Sequence, residues 1–343
     1  MLRLNRQPFL LFSIFSFILF SCGTKKTGAD EKTASDTVVT KVITPVDQIT
    51  ERIKTEPGNP ELYAERSKYY LAEKKFTPAM NDINKAIAMD STKASYYLTV
   101  ANIHFASLNI PKSEEAFKKA ISLDNKNIEA YLKLSELYLY LKKYKESIAN
   151  ANEALKIDKH LAKAYFIKGY VMAESGDTSR AISNYQTCVE EEPGYYDAFI
   201  QLGIIFATKN DPLALQYYNA ALKLRPNSTE ALYDRGLFYQ DAGDLEKATA
   251  DYNSILQIDP NYKNAYYNLG YIEVNFKKNY QKAIEYFAKA IDKDKYYAEA
   301  FYNRGYCYEM MGDKQKARAD YKAALENSPK YDLAINGIKR IGG

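Results

Sequence analysis

Tryptophan is absent from the 343-residue sequence, and histidine (2), cysteine (3), proline (11) and glycine (15) are scarce. So few glycines and prolines beside 32 tyrosines favour a helical chain with short turns. Three cysteines are too few for a disulfide framework. Cys188 and Cys307 are separated by several predicted helices, so their Cα atoms cannot approach within the roughly 7 Å that a disulfide needs. We expect both to be small buried thiols.

Groups suited to catalysis or metal binding are also sparse. The two histidines, His104 and His160, lie 56 positions apart, and no Cys/His cluster has metal-ligand spacing. Adjacent acidic residues such as Glu114 and Glu115 do not face each other on a helix, so solvated surface is the better interpretation. We therefore predict no catalytic site, no metal site and no cofactor, and interpret His104 as a packed residue and His160 as an exposed one.

The charges nearly cancel. The sequence has 47 basic and 43 acidic residues, a formal net charge of +4, and two of the arginines, Arg3 and Arg6, belong to the N-terminal leader described next. A nucleic-acid-binding domain typically carries a basic stripe or patch. We therefore predict no nucleic-acid partner.

Residues 1–21 have the features of a secretory signal peptide. Arg3 and Arg6 precede an apolar run from Phe9 to Phe20, which is shorter than the roughly 20 residues needed to span a bilayer. The run ends in Leu19-Phe20-Ser21-Cys22-Gly23, which resembles the lipobox of bacterial lipoproteins, although Phe20 departs from the usual small or β-branched residue. The resemblance implies cleavage before Cys22 and its acylation. A conventional signal peptide with an incidental cysteine is the alternative.

A lipid anchor implies a location in a bacterial envelope. For a lipoprotein of Gram-negative bacteria, we expect attachment to the outer membrane, on its periplasmic or surface face. Residues 22–43 would join the acylated cysteine to the folded part, and their polar composition predicts a flexible tether. A capping box with proline at the first helical position, Thr44 to Asp47, then predicts a short helix from Pro45 to about Thr55. It would cap the array as residues 44–59.

Two series of small residues recur with a period of 33–35 positions, which indicates an internal repeat. The first series is Ser67, Ala101, Ser135, Gly169, Gly203, Gly236, Gly270 and Gly305. The second is Ala79, Ser113, Ser147, Ala181, Ala214, Ala248, Ala283 and Ala317. A large apolar residue stands four positions before each member of the first series: Tyr63, Tyr97, Tyr131, Tyr165, Phe199, Leu232, Tyr266 and Phe301. These spacings predict two helices per repeat, here called helix A and helix B, that approach closely at the small residues.

The turns and the period together resemble the tetratricopeptide repeat (TPR), a 34-residue helix–turn–helix unit. Gly-Asp pairs such as Gly176-Asp177 separate helix A from helix B, and Ala300 to Pro329 follows the family pattern closely. The resemblance implies an all-α fold, an α-solenoid in the form of a right-handed superhelix with terminal capping helices. The eight repeats would be 60–93, 94–127, 128–161, 162–195, 196–228, 229–262, 263–297 and 298–331, followed by a capping helix within 332–343.

The leading apolar residues and the small residues of helix A form a stripe that we call the packing stripe. A second stripe, next to it on the helix, falls one and five positions after each leading apolar residue. In repeats 4–8 its members are Phe166, Tyr170, Ile200, Ile204, Tyr233, Leu237, Tyr267, Tyr271, Tyr302 and Tyr306. The family resemblance places this stripe on the concave face, where it would form a partner-binding groove, with Asn268 and Asn303 as a partial row of amides for a peptide backbone. The alternative is that these side chains pack against the next helix. In repeats 1–3 the corresponding pairs are Ala64/Lys68, Leu98/Asn102 and Leu132/Glu136.

These features predict a non-enzymatic, membrane-anchored scaffold that binds peptide segments of partner proteins. We expect it to act in an envelope complex for secretion, motility or outer-membrane assembly. A cell-surface glycan-binding module is an alternative, against which the lack of tryptophan counts modestly. An accessory subunit of an envelope enzyme is a third possibility that the sequence does not separate from the first.

Overall fold

The computed structural model describes residues 43–342. The predicted leader, Cys22 and all of the predicted tether except Ile43 lie outside the described residues. Within them the chain is all-α, with eighteen helices in stacked antiparallel pairs. The helices are α1 Pro45–Thr55, α2 Pro60–Ala72, α3 Phe76–Met89, α4 Ala94–Ala106, α5 Ile110–Leu123, α6 Ile128–Tyr140, α7 Tyr144–Ile157, α8 Ala162–Glu174, α9 Thr178–Glu191, α10 Tyr196–Thr208, α11 Leu213–Leu224, α12 Thr229–Asp241, α13 Leu245–Ile258, α14 Lys263–Asn275, α15 Tyr280–Lys293, α16 Ala298–Met310, α17 Lys314–Asn327 and α18 Asp332–Arg340. The predicted α-solenoid class is confirmed.

Two compact units divide the chain, one ending at Lys159 and the other beginning at His160. In the N-terminal unit, α2/α3, α4/α5 and α6/α7 form the pairs, and α1 packs on α2. In the C-terminal unit, α8/α9, α10/α11, α12/α13, α14/α15 and α16/α17 form the pairs, and α18 packs on α17. Within each unit, helix B of one repeat contacts helix A of the next, which is the nearest-neighbour stacking of a repeat array.

The helix starts follow from local capping groups that the sequence predicts. The Thr44 hydroxyl accepts a hydrogen bond from the Asp47 amide at 3.1 Å, and the Thr44 amide donates to the Asp47 carboxylate at 3.0 Å. In three repeats of the C-terminal unit, a glycine with φ of 78–85° ends helix A, and the following aspartate side chain accepts a hydrogen bond from the helix B backbone. These glycines are Gly176, Gly243 and Gly312. The capping box and the Gly-Asp turns are confirmed.

Five glycines of the C-terminal unit allow helices A and B to approach closely. A Cβ atom added to Gly203 would lie 2.5 Å from Cε1 of Tyr218, and one added to Gly270 would lie 2.8 Å from Cε1 of Phe287. Gly169, Gly236 and Gly305 stand in the same relation to Tyr185, Tyr252 and Tyr321. The expected close contact at the small residue is confirmed, because a Cβ atom at these five positions would lie only 2.5–3.0 Å from a ring atom of helix B.

Ion pairs between a partly buried arginine and a buried aspartate also join helices A and B in three repeats. The Arg235 guanidinium donates to both oxygens of Asp251, at 2.9 and 2.6 Å. Arg66–Asp82 in repeat 1 and Arg304–Asp320 in repeat 8 repeat this bidentate geometry. The sequence analysis missed these pairs, although all three have the same separation of sixteen positions.

The C-terminal helix is fixed to the last repeat by charge and by burial. The Arg340 guanidinium donates to both oxygens of Glu309 at 2.8 Å. Ala334 and Ile341 are buried against repeat 8. Between residues 43 and 342, no helix combines the length and apolar character that crossing a membrane requires.

Candidate partner-binding groove

In four of the five repeats of the C-terminal unit, the side chain one position after the leading apolar residue is held between two other rings. The Tyr267 ring centroid lies 5.6 Å from that of Phe287 in helix B of its own repeat and 5.2 Å from that of Tyr297 in the following turn. The same three-ring arrangement forms around Phe166 (Tyr185 and Tyr195), Tyr233 (Tyr252 and Tyr262) and Tyr302 (Tyr321 and Tyr331). Ring pairs at these distances add stability beyond the burial of area, so the stacks favour the positions that these four side chains occupy.

The close glycine contacts extend into these stacks. Four of the five rings that cover the glycines of helix A are also members of a three-ring stack: Tyr185, Tyr252, Phe287 and Tyr321. A glycine in the packing stripe therefore supports an aromatic side chain in the neighbouring stripe through the ring of helix B. In repeat 5 the stripe residue is Ile200, which is 2% exposed.

The second residues of the stripe are more open. Ile204, Leu237, Tyr271 and Tyr306 are all partly exposed. The Tyr271 ring meets Phe276 edge-on at 6.4 Å, and Tyr306 packs against the cluster that contains Val274 and Phe287. Burial raises the pKa of both tyrosines, so at neutral pH each hydroxyl stays protonated and provides a hydrogen-bond donor without a charge.

Five of the predicted groove residues are buried and cannot serve as open contact surface in the described chain. They are Tyr170, Ile200, Asn268, Tyr302 and Asn303, with exposures of 8%, 2%, 0%, 6% and 3%. Tyr302 is covered by Tyr321, Tyr331 and the C-terminal helix. For these positions, the alternative of packing against the next helix describes the structure better.

Of the two amides predicted to bind a peptide backbone, Asn303 makes internal hydrogen bonds, and Asn268 is buried without a hydrogen-bond partner in residues 43–342 for its side-chain nitrogen or oxygen. The Asn303 amide donates to the Tyr267 hydroxyl at 2.9 Å and to the Glu299 carbonyl at 3.0 Å. This places Asn303 between the A helices of repeats 7 and 8, which contact each other. The Asn268 side chain is fully buried near the Tyr233 and Tyr252 hydroxyls. The position two residues after the leading apolar residue therefore faces the neighbouring A helix in these repeats and not the open side.

Sequence analysis also missed the tyrosines of the turns between repeats. Tyr262, Tyr297 and Tyr331 recur 35 and 34 positions apart, and together with Tyr195 they supply the outer rings of the stacks. Aligning the turns as well as the helices would have identified them. The accessible surface that remains consists of partly exposed side chains: Phe166, Ile204, Tyr233, Leu237, Tyr267, Tyr271 and Tyr306.

In residues 43–342, no group of three His, Cys, Asp or Glu side chains is placed to hold a metal ion. Cys188 and Cys307 are buried free thiols. Burial raises the pKa of both thiols to about 12, so neither is a thiolate at neutral pH. His160 is exposed and lies 2.8 Å from Glu191, whereas burial lowers the pKa of His104.

Family models described as tetratricopeptide repeat match residues 128–160, 168–228, 212–263, 239–297 and 298–331. Together these matches cover more than half of the chain. Among curated proteins, human tetratricopeptide repeat protein 6 is 28% identical over 143 residues, which are 41% of this chain and 27% of that protein. A UDP-N-acetylglucosamine–peptide N-acetylglucosaminyltransferase of Giardia intestinalis is 27% identical over 126 residues, 36% of this chain and 8% of the transferase. The chain thus spans a minor part of the length of these relatives.

Solved structures show the same fold. The crystal structure of the C-terminal part of a TPR repeat-containing protein from Cytophaga hutchinsonii aligns with a TM-score of 0.58 at 24% identity, covering 69% of this chain and 98% of that one. The repeat period, the helix pairs, the glycine contacts and the family matches agree with one another. The chain belongs to the tetratricopeptide repeat family.

Proposed function

We propose that the C-terminal unit binds a segment of a partner protein along the accessible part of the stripe in repeats 4–8. TPR proteins mediate protein–protein interaction and bind peptides. The observation that carries the proposal is the row of aromatic side chains that are packed in three-ring stacks yet stay partly exposed. Rigid aromatic side chains lose little entropy on binding and provide large contact areas.

The N-terminal unit lacks this surface. Its equivalents of the stacked rings are Ala64, Leu98 and Leu132, which are 6%, 7% and 9% exposed. The next stripe position is taken by Lys68, Asn102 and Glu136. Small buried aliphatic residues beside polar ones offer few of the aromatic anchors that dominate binding energy. The proposed site therefore lies within the C-terminal unit.

The proposed role is that of a non-enzymatic scaffold, which the lipobox-like sequence at Cys22 would attach to a membrane. Such an anchor supports a location in the outer membrane of a Gram-negative envelope and recruitment of partners to a secretion, motility or outer-membrane assembly complex. Replacing Cys22 with serine should abolish labelling by a fatty-acid probe and release the protein from the membrane fraction. Undiminished labelling of Cys22→Ser would refute the anchor and leave the binding site unaffected.

The binding site is tested by crosslinking in intact cells, followed by purification and identification of the captured protein. Tyr271→Ala combined with Tyr306→Ala should weaken capture more than tenfold, because truncating a buried aromatic anchor costs about 2 kcal/mol or more at a hot spot. The matched control is Tyr69→Ala combined with Tyr296→Ala, since these tyrosines are 40% and 81% exposed and lie outside the stripe. Lys68→Ala should also have little effect.

Loss of folding is distinguished from loss of contact by thermal melting and by conservative replacements. Phenylalanine at positions 271 and 306 keeps the rings and removes only the hydroxyl groups, so partial capture by that variant would show that the rings act as anchors. Full capture of the partner by the double alanine variant would contradict the proposed groove. A large fall in its melting temperature would also contradict it if the folded fraction still captured the partner, because the tyrosines would then be packing residues.

A further inference from the structure

The stripe of helix A extends beyond the residues described above. Positions two before and nine after each leading apolar residue are spaced by three and four from the stripe members, so they lie on the same face of the helix. We call the four positions together the trough face. In repeats 4–8 the added pairs are Lys163/Glu174, Asp197/Thr208, Glu230/Asp241, Asn264/Asn275 and Glu299/Met310.

The trough face of the C-terminal unit is acidic. Its twenty positions include five carboxylates and one lysine, whereas the whole sequence has 47 basic and 43 acidic residues. Interspersed charges of both signs are the ordinary state of a protein surface. Segregation of one sign on the face that also presents the partly exposed tyrosines gives this surface a defined electrostatic character.

The carboxylates act on the stripe across repeat boundaries. Asp241 of repeat 6 contributes to the raised pKa of Tyr271 in repeat 7, after the larger effect of burial. Glu299 of repeat 8 acts in the same way on Tyr267 and Tyr297, for which burial is again the main cause. The negative charges and the phenol hydroxyls therefore lie on the same side of the A helices.

Asp197 and Glu230 are two carboxylates of this face that influence each other. Burial raises the pKa of both carboxyls, and the charge of Asp197 raises that of Glu230 further. The Tyr196 hydroxyl lies 2.6 Å from the Ser228 hydroxyl and donates to Glu230 at 3.4 Å. The nearby cation, Arg225, opposes the rise but does not cancel it, and its guanidinium lies 4.0 Å from the centre of the Tyr196 ring. A further cation placed near Asp197 and Glu230 would therefore stabilise the ionised form of both carboxylates.

We propose that the partner segment is cationic, with lysine or arginine side chains placed against the carboxylates and apolar side chains against the tyrosine rings. This inference rests on the proposed binding role and specifies the chemistry of its partner. Cations also interact favourably with the faces of tyrosine rings. The trough face of the N-terminal unit carries Glu61, Lys68, Glu129 and Glu136 but no tyrosine at the stacked position, so it lacks the combination.

The test uses the full chain and three labelled peptides of the same length and apolar sequence, in which the remaining positions are all lysine, all serine or all glutamate. Fluorescence anisotropy should show the lysine peptide binding at least tenfold more tightly than the glutamate peptide at low ionic strength. The difference should shrink at about 0.5 M salt, because salt screens exposed charges. Asp197→Asn combined with Glu230→Gln should weaken the lysine peptide severalfold and leave the serine peptide unchanged.

The matched control removes two charges elsewhere in the same unit. Glu246 and Glu285 are exposed on helices α13 and α15, and their replacement by glutamine should change binding of the lysine peptide by less than twofold. Thermal melting of the double amide variant is the folding control: a melting temperature close to that of the wild type excludes a folding defect as the cause of its weaker binding.

Four results would overturn the inference. Equal binding of all three peptides, lost in Tyr271→Ala with Tyr306→Ala, would leave the groove standing and refute its preference for cations. Failure of the lysine peptide to bind would also refute it, while the crosslinking experiment independently decides the binding role. An equal loss in the Glu246/Glu285 control would show unspecific attraction by net charge, and a concentration-dependent dimer in light scattering would assign the trough to a second copy of the chain.

Discussion

Helices A and B approach closely in both units, but the contact is made in two different ways. In the N-terminal unit the small residue is often serine, and its hydroxyl donates to a backbone carbonyl of the other helix. Ser67 donates to the Ala79 carbonyl at 2.8 Å, Ser113 to that of Ala101 at 2.9 Å and Ser135 to that of Ser147 at 2.7 Å. In the C-terminal unit a glycine lies beneath a ring.

This difference goes together with the aromatic stripe, which is found in the C-terminal unit. The positions of helix B that face the small residue are Ile83, Phe117 and Ala151 in repeats 1–3, and Tyr185, Tyr218, Tyr252, Phe287 and Tyr321 in repeats 4–8. In repeats 4–8 each of these rings lies against a glycine, whereas Phe117 in repeat 2 shares a buried cluster with Ala101. In repeats 4, 6, 7 and 8 the same ring also stacks on the aromatic stripe residue of helix A. The contact that stabilises the C-terminal repeats thus also builds their proposed binding surface.

The largest effect is expected from a feature that the two units share. Asp251→Ala should lower the free energy of unfolding by about 3 kcal/mol, because it leaves the Arg235 guanidinium buried without its carboxylate. Asp82→Ala in repeat 1 should cost a similar amount, since Arg66 and Asp82 are equally inaccessible, with side-chain exposures of 16% and 10%. Hydrogen exchange of each variant measures the local loss. A much smaller effect in repeat 1 would show that the ion pair depends on the aromatic packing of the C-terminal unit.

The glycine contact is tested by Gly270→Val, which should cost roughly 1–3 kcal/mol by overpacking against Phe287. Because repeats contact only their neighbours, hydrogen exchange should increase in repeats 6–8 and change little in repeats 2 and 3. The control is Gly194→Val, since no atom lies within 4 Å of a Cβ built there. Partial recovery by Phe287→Leu in the Gly270→Val background would confirm the steric cause, and a uniform loss of protection along the chain would contradict a modular array.

Replacing a carboxyl by its amide should change the melting temperature in opposite directions in the two units, at Asp197 in the C-terminal unit and at Glu114 in the N-terminal unit. In the C-terminal unit the folded pKa of Asp197 is raised by burial, so ionisation opposes folding as the pH rises above its ordinary value near 4. Asp197→Asn should therefore raise the melting temperature at neutral pH, and the gain should vanish near pH 4.

In the N-terminal unit the Lys118 ammonium, which donates to Glu114 at 2.6 Å, lowers the folded pKa of that carboxyl, and the Tyr138 hydroxyl adds to the effect. The Glu114 carboxylate therefore stabilises the fold at pH values above the ordinary glutamate pKa, and this contribution is lost as the pH falls through the pKa of Glu114 in the folded chain. Glu114→Gln should lower the melting temperature at neutral pH and have little effect in acid. Shifts of the same sign for both amide variants would contradict this assignment.

The smallest effects are expected in the turns between helices A and B. The residues with positive φ are Lys74, Leu108 and Lys142 in the N-terminal unit, where three repeats of the C-terminal unit have glycine. A non-glycine residue in this conformation lowers the free energy of unfolding by about 1–2 kcal/mol. Glycine avoids this strain, but its larger entropy in the unfolded state offsets part of the gain. Lys142→Gly should therefore stabilise by about 0.5 kcal/mol in urea denaturation, and Gly243→Ala should destabilise by about 1 kcal/mol. A loss of stability in Lys142→Gly would refute the strain.

Much of the fold could be predicted from the sequence because its signals are local or periodic. The period of about 34, the capping box at Thr44 and the glycines at positions 176, 243 and 312 each determine the structure of a few neighbouring residues. The small residue in helix A predicted a close helix contact, since volume alone decides what fits there. The lipobox-like sequence at Cys22 lies outside the described residues and stays a prediction.

The open surface of the groove could not be predicted in the same way. Spacing along a helix shows which side chains share a face, but whether that face is covered depends on the next repeat. Tyr302 and Asn303 have the spacing of groove residues, yet the C-terminal helix covers one and a hydrogen bond to Tyr267 occupies the other. The sequence by itself determined the repeat and the helix faces, because periodicity is a property of one chain segment. Only the tertiary structure decided which tyrosines stay accessible and that carboxylates lie beside them, because burial and electrostatic fields are produced by neighbouring segments together.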